Sequence, residues 1–258
     1  MDVGALFSVA GKTVLITGGS RGIGEMLVRG FVAAGARTYI SARSADRCAA
    51  LATELSDQGT CIALPADLST PEGCAELASA FRAEADHLDV LINNAGATWG
   101  APLGTYPAEG FDKVMDVNVR APFLLTQELL DVLQAAASPE DPARVIMIGS
   151  VDGIQVPMFD SFAYSASKSA VHMLTRHLGK AVAARNMTVN AIAPGLFASR
   201  MTAFMFDEYE EQVLGAIPQG RAGTPEDIVG TALYLASRAG AYTTGAVVMV
   251  DGGFATLR

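Results

Sequence analysis

Short apolar runs alternate with longer amphipathic segments along nearly the whole chain, and this alternation is the main evidence for its fold. Seven apolar runs predict strands at residues 13–17, 37–42, 61–65, 89–93, 144–149, 188–192 and 246–250. Between these runs, apolar residues recur with a helical period, which predicts helices at residues 25–34, 45–58, 70–85, 110–137, 162–184 and 225–237. The pattern therefore predicts an α/β protein.

Nearly every position in the short runs is apolar, as in strands that are buried on both faces. Because the strands alternate with helices, we expect them to run parallel, with helices covering both faces of the sheet. No internal repeat, low-complexity tract or linker interrupts the pattern. We therefore expect a single domain over residues 1–258, a Rossmann fold with a doubly wound, seven-stranded parallel sheet and a nucleotide site where the strand order reverses.

The net charge and the cysteines narrow the classes of partner and compartment. A net charge of −9 disfavours binding to nucleic acid or to an anionic membrane. Cys48, Cys61 and Cys74 show neither a disulfide framework nor a zinc spacing, which fits a reduced cytoplasm. The first residues lack a signal-peptide pattern, and no apolar run reaches about 18 residues, so we expect no membrane span.

Gly18, Gly22 and Gly24 lie in the turn between the first predicted strand and the first predicted helix. Glycines there allow a tight turn and a close approach of backbone to a pyrophosphate, and the helix N-terminus supplies N–H donors. A glycine-rich stretch can also be only a turn. Its position between a buried strand and a helix, near the start of an alternating fold, favours a dinucleotide site.

Tyr164 and Lys168 are four residues apart in a predicted helix, so their side chains share one face. A neighbouring cation favours the phenolate and brings the pKa of a phenol closer to neutral pH. Such a pair can serve as the general acid/base for an alcohol or a ketone. On spacing alone, an ordinary helix surface is the commoner explanation.

Further motifs accompany these two, in a fixed order along the chain. They are Asn93-Asn94-Ala95-Gly96 after the fourth predicted strand, Asn118, Ser150 at the end of the fifth strand, Pro194-Gly195 after the sixth, and the ending Asp251-Gly252-Gly253. With the glycine loop and the Tyr164–Lys168 pair, they resemble the short-chain dehydrogenase/reductase family over nearly the whole chain. The resemblance implies a nicotinamide-dependent oxidoreductase.

The resemblance also implies a role for each polar residue of the predicted catalytic group. Ser150 would position the substrate carbonyl, Tyr164 would donate or accept the proton, and Lys168 would hold the ribose and favour the tyrosinate. Asn118 would hold a water that links Lys168 to solvent. Taken singly, Ser150 can be a strand-end cap and Asn118 a buried polar residue. The reaction needs no metal, and the three histidines, which lack ligand spacing, are interpreted as ordinary helix residues: His87, His172 and His177.

NADP(H) is the cofactor that the sequence favours. In the family pattern, Ala42 stands where an NAD-preferring protein has an acidic residue, whereas Arg21 and Arg43 suit a 2′-phosphate. Arg43 can also be a solvated loop residue, and Asp67 either holds the adenine with Leu68 or caps a helix. The predicted cofactor-binding residues are Gly18, Ser20, Arg21, Gly22, Ile23, Gly24, Arg43, Asp67, Leu68, Asn94, Ala95, Gly96, Tyr164, Lys168, Pro194, Gly195 and Phe197.

Two apolar segments are predicted to shape the substrate site: the loop 151–161 and a lid at about residues 197–220. Their large side chains either surround an acyl chain or pack the lid onto the core or a partner subunit; Trp99 is a further candidate for the wall. These side chains are Ile154, Val156, Met158, Phe159, Phe197, Met201, Phe204, Met205, Phe206 and Tyr209.

Within the family, the chain most resembles the 3-oxoacyl (β-ketoacyl) reductases of the rhamnolipid-biosynthesis type. The glycine loop, residues 142–146 and residues 199–202 carry this likeness. It implies NADPH-dependent reduction of a 3-oxoacyl thioester on acyl carrier protein or coenzyme A. The alternatives are a dehydrogenase of a sugar acid, polyol or steroid alcohol, and a non-catalytic NADP-sensing protein.

The expected partners are a small-molecule ketone or acyl thioester and further copies of the chain, as a homodimer or homotetramer. Reductases that act on acyl carrier protein generally present two arginines to it. Here Leu124 occupies the first such position and Arg185 matches the second. Together with the net charge of −9, this disfavours docking of an acidic carrier.

Overall fold

Seven parallel strands form one sheet, in the order β3-β2-β1-β4-β5-β6-β7. The structure is a computed structural model that describes residues 1–198 and 203–257, with only the backbone described for residues 203–208. The strands are β1 (Thr13–Thr17), β2 (Arg37–Ser41), β3 (Cys61–Ala63), β4 (Val90–Asn93), β5 (Ala143–Ile148), β6 (Met187–Pro194) and β7 (Val247–Val250). The predicted doubly wound parallel sheet is confirmed.

Helices connect the strands and cover the sheet. They are α1 (Val3–Phe7), α2 (Gly22–Ala33), α3 (Ala45–Glu54), α4 (Pro71–Glu84), α5 (Ala108–Met115), α6 (Ala121–Glu128), α7 (Leu130–Ala136), α8 (Phe162–Val182), α9 (Ala203–Gly215) and α10 (Pro225–Ala236). Thr70 caps α4 by accepting a hydrogen bond from Gly73 N at 3.1 Å, so Asp67 is not the cap of this helix.

The prediction of one helix over residues 110–137 is wrong. The segment is divided into α5, a π-helical stretch at Asp116–Arg120, α6 and α7. Pro122 contributes to the division, because proline has no N–H to donate to the carbonyl of Asn118 four residues earlier. The second interruption is at Leu129, whose backbone (φ −95°, ψ 10°) is not helical.

Alternate residues of the strands point to opposite faces of the sheet, and each face carries its own apolar core. Leu15, Leu91 and Val145 pack with residues of α4, α6, α7 and α8 on one face. Ile16, Ile92 and Ile146 pack with residues of α2, α3 and α10 on the other. The strands β1, β4, β5 and β6 are buried along their whole length, which explains why their positions are nearly all apolar.

The order reverses beside β1, which lies between β2 and β4. At the carboxyl ends of the central strands, the chain continues into the glycine loop, the Asn94 segment and Ser150. The fold therefore gathers the polar motifs at one edge of the sheet, as expected for a nucleotide site. None of the helices in the described part of the chain is long and apolar enough to cross a bilayer.

Candidate active site

A cleft of about 1000 Å³ opens at the carboxyl ends of the strands. Its lining includes every residue that the sequence predicts to bind the cofactor, together with Ser150. Asn118 is not part of the lining and lies behind it. The lining also includes residues that the sequence reading did not identify, among them Ser44, Arg47, Glu109, Asp112, Lys113, Asp116, Ile148 and Gly149.

The glycine loop fits a close approach of backbone to a phosphate. Gly18 has a φ of +64°, in the left-handed region that favours glycine. A Cβ atom on Gly24 would lie 2.1 Å from the carbonyl oxygen of Gly18 and 2.5 Å from Nδ2 of Asn94, so no side chain fits there. The loop is thus held at the N-terminus of α2, where free N–H groups can meet a pyrophosphate.

Thr17 fixes the glycine loop to the end of β4, a role that sequence reading missed. Its hydroxyl oxygen accepts hydrogen bonds from the N–H groups of Asn94 and Ala95, both at 3.0 Å. In return, Nδ2 of Asn94 donates to the carbonyl oxygens of Thr17 at 2.9 Å and Gly18 at 3.1 Å. These bonds hold two segments that are predicted to bind the cofactor in one arrangement.

Three arginines line the cleft near the end of β2. The guanidinium groups of Arg21, Arg43 and Arg47 make no hydrogen bond or salt bridge with any residue that the structure describes. Unpaired guanidinium groups at this position suit a 2′-phosphate. Arg47 lies in the first turn of α3, soon after Arg43 in the chain, and this nearness in sequence was the available signal for it.

Asp67 also lines the cleft and is ionised at neutral pH. Its carboxylate accepts a hydrogen bond from Ser69 N at 3.0 Å. This bond, with a smaller effect of Arg43, holds the pKa of Asp67 below its usual value. An ionised carboxylate suits its predicted role as an acceptor for the adenine amino group. The residues present therefore fit an NADP-type dinucleotide.

Ser150, Tyr164 and Lys168 meet at the inner end of the cleft. Ser150 follows β5, and its Oγ accepts a hydrogen bond from Asp152 N at 3.1 Å. Lys168 is 4% exposed, and its ammonium donates to the carbonyl oxygen of Ile148 at 2.7 Å. The same ammonium lies 5.5 Å from the centre of the Tyr164 ring, so the phenol and the ammonium share one face of α8.

The predicted lowering of the Tyr164 pKa is not what the structure shows. Burial raises the pKa of the phenol to about 12, with Ser150 opposing the rise and the charge of Asp152 adding to it. Burial also lowers the pKa of Lys168 to about 8, against the effect of Asp152. Burial is therefore the largest influence on the pKa of Tyr164, and the phenol is protonated at neutral pH and ready to donate.

Asn118 lies in the π-helical stretch and is 2% exposed. Its Oδ1 accepts from Ala97 N at 2.8 Å, and its Nδ2 donates to Ala97 O at 3.0 Å and to Ser167 Oγ at 2.9 Å. Both amide hydrogens are used, so a water held by this side chain would have to donate to it. The amide also fixes the segment after Gly96 onto the helix that carries Lys168.

The loop 151–161 and α9 belong to the two segments that are predicted to shape the substrate site. Ile154, Val156 and Met158 are exposed, and the rings of Phe159 and Tyr209 meet at 6.1 Å between centres. Phe197 is buried against Gly223. Trp99 packs on α5, where Lys113 lies over its ring at 5.6 Å. Met201 and the side chains of Phe204, Met205 and Phe206 lie outside the described residues.

His172 is buried one helical turn after Lys168, and His87 and His177 lie apart from it. Its Nε2 atom has no hydrogen-bond partner in the part of the chain that the structure describes. A Cβ atom on Gly149 would come within 2.3 Å of this nitrogen, so the ring fills the space beneath the start of the Ser150 turn. Burial, with smaller effects of Lys168 and Arg176, lowers the pKa of His172 to about 4.

This buried imidazole predicts a pH-dependent stability. The unfolded residue takes up a proton near its ordinary pKa of 6.5, whereas the folded one does so only near pH 4. Stability should therefore fall as the pH drops from 6.5 towards 4, by about 1.4 kcal/mol per pH unit from this group. Urea unfolding at pH 7 and pH 5 should show a smaller loss for His172→Gln than for the wild type, whereas the exposed His177→Gln should behave like the wild type.

Comparisons with known proteins agree with this geometry. The family model described as enoyl-(acyl carrier protein) reductase matches residues 18–255. The rhamnolipids biosynthesis 3-oxoacyl-[acyl-carrier-protein] reductase of Pseudomonas aeruginosa is 49% identical over 250 residues, which are 96% of this chain and 98% of that protein.

Two solved structures show the same fold. The Pseudomonas aeruginosa RhlG/NADP active-site complex is 48% identical with a TM-score of 0.94, over 97% of this chain and 99% of that one. A putative NAD(P)-dependent gluconate 5-dehydrogenase from Beutenbergia cavernae with bound NADP is 37% identical with a TM-score of 0.90, over 96% and 98% of the chains. The chain thus belongs to the short-chain dehydrogenase/reductase family.

Proposed function

We propose that this protein is an NADPH-dependent reductase that converts a 3-oxoacyl thioester to the 3-hydroxyacyl product. The observation that carries the proposal is a protonated phenol, Tyr164, beside Ser150 and Lys168 at the inner end of a dinucleotide cleft. A protonated acid suits reduction, in which the carbonyl oxygen must gain a proton. The Pseudomonas aeruginosa relative, a 3-oxoacyl-[acyl-carrier-protein] reductase by name, supports the substrate class.

In the proposed reaction, the residues of the chain hold the carbonyl and move one proton. Ser150 and Tyr164 donate hydrogen bonds to the carbonyl oxygen, which positions the carbonyl carbon over the cleft. NADPH, when bound, supplies the hydride that reduces this carbon. Tyr164 gives its proton to the oxygen, and Lys168 holds the ribose hydroxyls. A water that donates to Asn118 connects Lys168 with solvent, so that Tyr164 can be reprotonated.

The preference for NADPH over NADH is assigned to the arginines beside β2. Replacing Arg43 with alanine removes a charged hydrogen-bond donor for the 2′-phosphate, so the ratio of kcat/KM for NADPH to that for NADH should fall about tenfold. The control is Arg37→Ala, because Arg37 is exposed at the other end of the same strand. An unchanged ratio in Arg43→Ala would contradict the assignment.

Steady-state assays of NADPH loss test the substrate class. Acetoacetyl-coenzyme A and an acetoacetyl carrier protein should be reduced, whereas polyols, sugar acids and steroid alcohols should not turn over NADP⁺. The likeness to a gluconate 5-dehydrogenase makes the sugar acid the second candidate. Turnover of gluconate without turnover of any thioester would overturn the proposal, and the absence of all turnover would favour the NADP-sensing alternative.

The proposal includes both acyl carrier protein and coenzyme A as carriers of the thioester, and the same assay compares the two. Leu124 stands at the first of the two positions where such reductases present an arginine to acyl carrier protein, and it packs against the core. Arg185, at the second position, is exposed. A lower kcat/KM with the carrier protein than with coenzyme A is therefore expected.

We also propose that a single domain extends over residues 1–258 and that residues 197–220 act as its substrate lid. The protein is further proposed to work in the cytoplasm, as a homodimer or homotetramer. Phe123 on α6 and Met173 on α8 are 41% and 61% exposed, which suits packing of these helices against a second copy. Light scattering should give the mass of a dimer or a tetramer, and a monomer mass would contradict this assembly.

A further inference from the structure

Asp152 lies next to the catalytic residues and has no assigned role. It is the second residue after Ser150, in the short 3₁₀ turn Val151–Gly153 that leads into the exposed apolar loop. Its N–H donates to Ser150 Oγ at 3.1 Å, which fixes the turn relative to the hydroxyl that meets the carbonyl. Atoms beside a carbonyl held by Ser150 and Tyr164 must therefore lie close to this turn.

The Asp152 carboxylate is partly buried but unpaired. It makes no hydrogen bond or salt bridge with any residue that the structure describes, although such carboxylates usually have a partner. The negative charge of Asp152 raises the pKa of Tyr164 and that of Lys168. Among the cations that the structure describes, Lys168 acts on this carboxylate, and the ammonium of Lys168 is bonded to Ile148 O instead.

Among the residues that the structure describes, the two segments predicted to shape the substrate site carry acidic residues and no basic one, and Arg200 lies outside the described residues. The loop 151–161 contains two acidic residues and no basic one. Residues 203–217, which form α9 and its end, contain four acidic residues and no basic one. A substrate carboxylate held beside this turn would meet the negative charge of Asp152, and the described residues of the two segments supply no cation to offset it.

We propose that Asp152 is a specificity-determining residue that rejects substrates with an anionic group close to the reacting carbonyl. This inference rests on the proposed function and deepens it. A 3-oxoacyl thioester is neutral around its carbonyl, because its first phosphate lies at the far end of the pantetheine arm. A 3-oxo acid or a keto sugar acid places a carboxylate within a few bonds of the carbonyl and is disfavoured.

Methyl acetoacetate and acetoacetate form the test pair, because they differ mainly in one charge. The wild type should prefer the ester, and Asp152→Asn should lower the ester-to-acid ratio of kcat/KM about tenfold, mainly by improving use of the acid. Effects of the variant on Tyr164 or Lys168 alter both substrates alike and cancel in the ratio. Asp152→Glu, which keeps the charge, should keep the ratio.

Asp160→Asn is the matched control, because Asp160 is an exposed acid of the same loop, and its ratio should equal that of the wild type. Should Asp152→Asn fail to fold, Asp152→Ser answers the same question. An unchanged ratio in the uncharged variant, or a wild type that prefers the acid, would overturn the inference. If the wild type reduces the ester but no thioester, the proposed function fails while the ratio still tests Asp152.

Discussion

Tyr164→Phe should lower kcat for ketone reduction by about 10²- to 10⁴-fold, because it removes the proton donor and leaves the ring in place. The phenol is protonated in the folded chain, with its pKa raised to about 12, so wild-type turnover begins with the proton already on Tyr164. Steady-state NADPH oxidation with acetoacetyl-coenzyme A measures the change.

Two controls separate loss of chemistry from loss of structure. NADPH binding, followed by fluorescence, should be nearly unchanged in Tyr164→Phe, because the ring and Lys168 remain. Tyr242 is fully exposed, and Tyr242→Phe should retain wild-type kcat. If Tyr164→Phe kept more than half of the wild-type kcat, another group would have to supply the proton.

Gly24→Ala should weaken NADPH binding by at least about tenfold. The added Cβ would lie 2.1 Å from Gly18 O and 2.5 Å from Asn94 Nδ2, so the glycine loop must move away from β4. That movement displaces the N–H groups at the start of α2 that would meet the pyrophosphate. Fluorescence titration with NADPH gives the dissociation constant.

Gly230→Ala is the matched control for this glycine, since it also lies in a helix but has no atom within 4 Å of the added Cβ. It should bind NADPH as the wild type does and be slightly more stable, by about 0.4–1 kcal/mol. Wild-type NADPH affinity in Gly24→Ala would show that the loop does not hold the dinucleotide in the proposed way.

The positions of many site residues could be predicted, because local sequence patterns show which strand or helix carries each of them. The glycine loop, Asn94 and Ser150 each end a strand that is apolar at nearly every position, and parallel strands bring such ends to one edge. The position of Lys168 one turn after Tyr164 follows from helix geometry alone. Neither inference needs a contact between distant parts of the chain.

The remaining features depend on packing that no local pattern contains. The upward direction of the Tyr164 pKa shift comes mainly from burial, and burial is a property of the folded chain. The break in the helix around Asn118 had a weak signal in Pro122, but the hydrogen bonds that tie Asn118 to Ala97 and Ser167 join distant parts of the chain.

A group of charged residues at the amino ends of the strands also could not be predicted from local sequence patterns. Arg144 is 1% exposed in β5, where it pairs with Asp141 at 2.7 Å and donates to Ser237 O at 2.8 Å. Lys12 also pairs with Asp141, at 2.6 Å. In the sequence, Arg144 is a single charge at the start of an apolar run, and Lys12 and Asp141 belong to two separate loops. No local pattern predicts that these three side chains meet.

The most direct test of the central claim is the fate of the hydrogen at C4 of NADPH. NADPH with deuterium at both C4 positions should be incubated with acetoacetyl-coenzyme A and the wild-type enzyme, and the product examined by mass spectrometry and NMR. The product should be 3-hydroxybutyryl-coenzyme A with one deuterium on C3. A product without deuterium at C3, or oxidation of NADPH without a 3-hydroxyacyl product, would contradict the central claim.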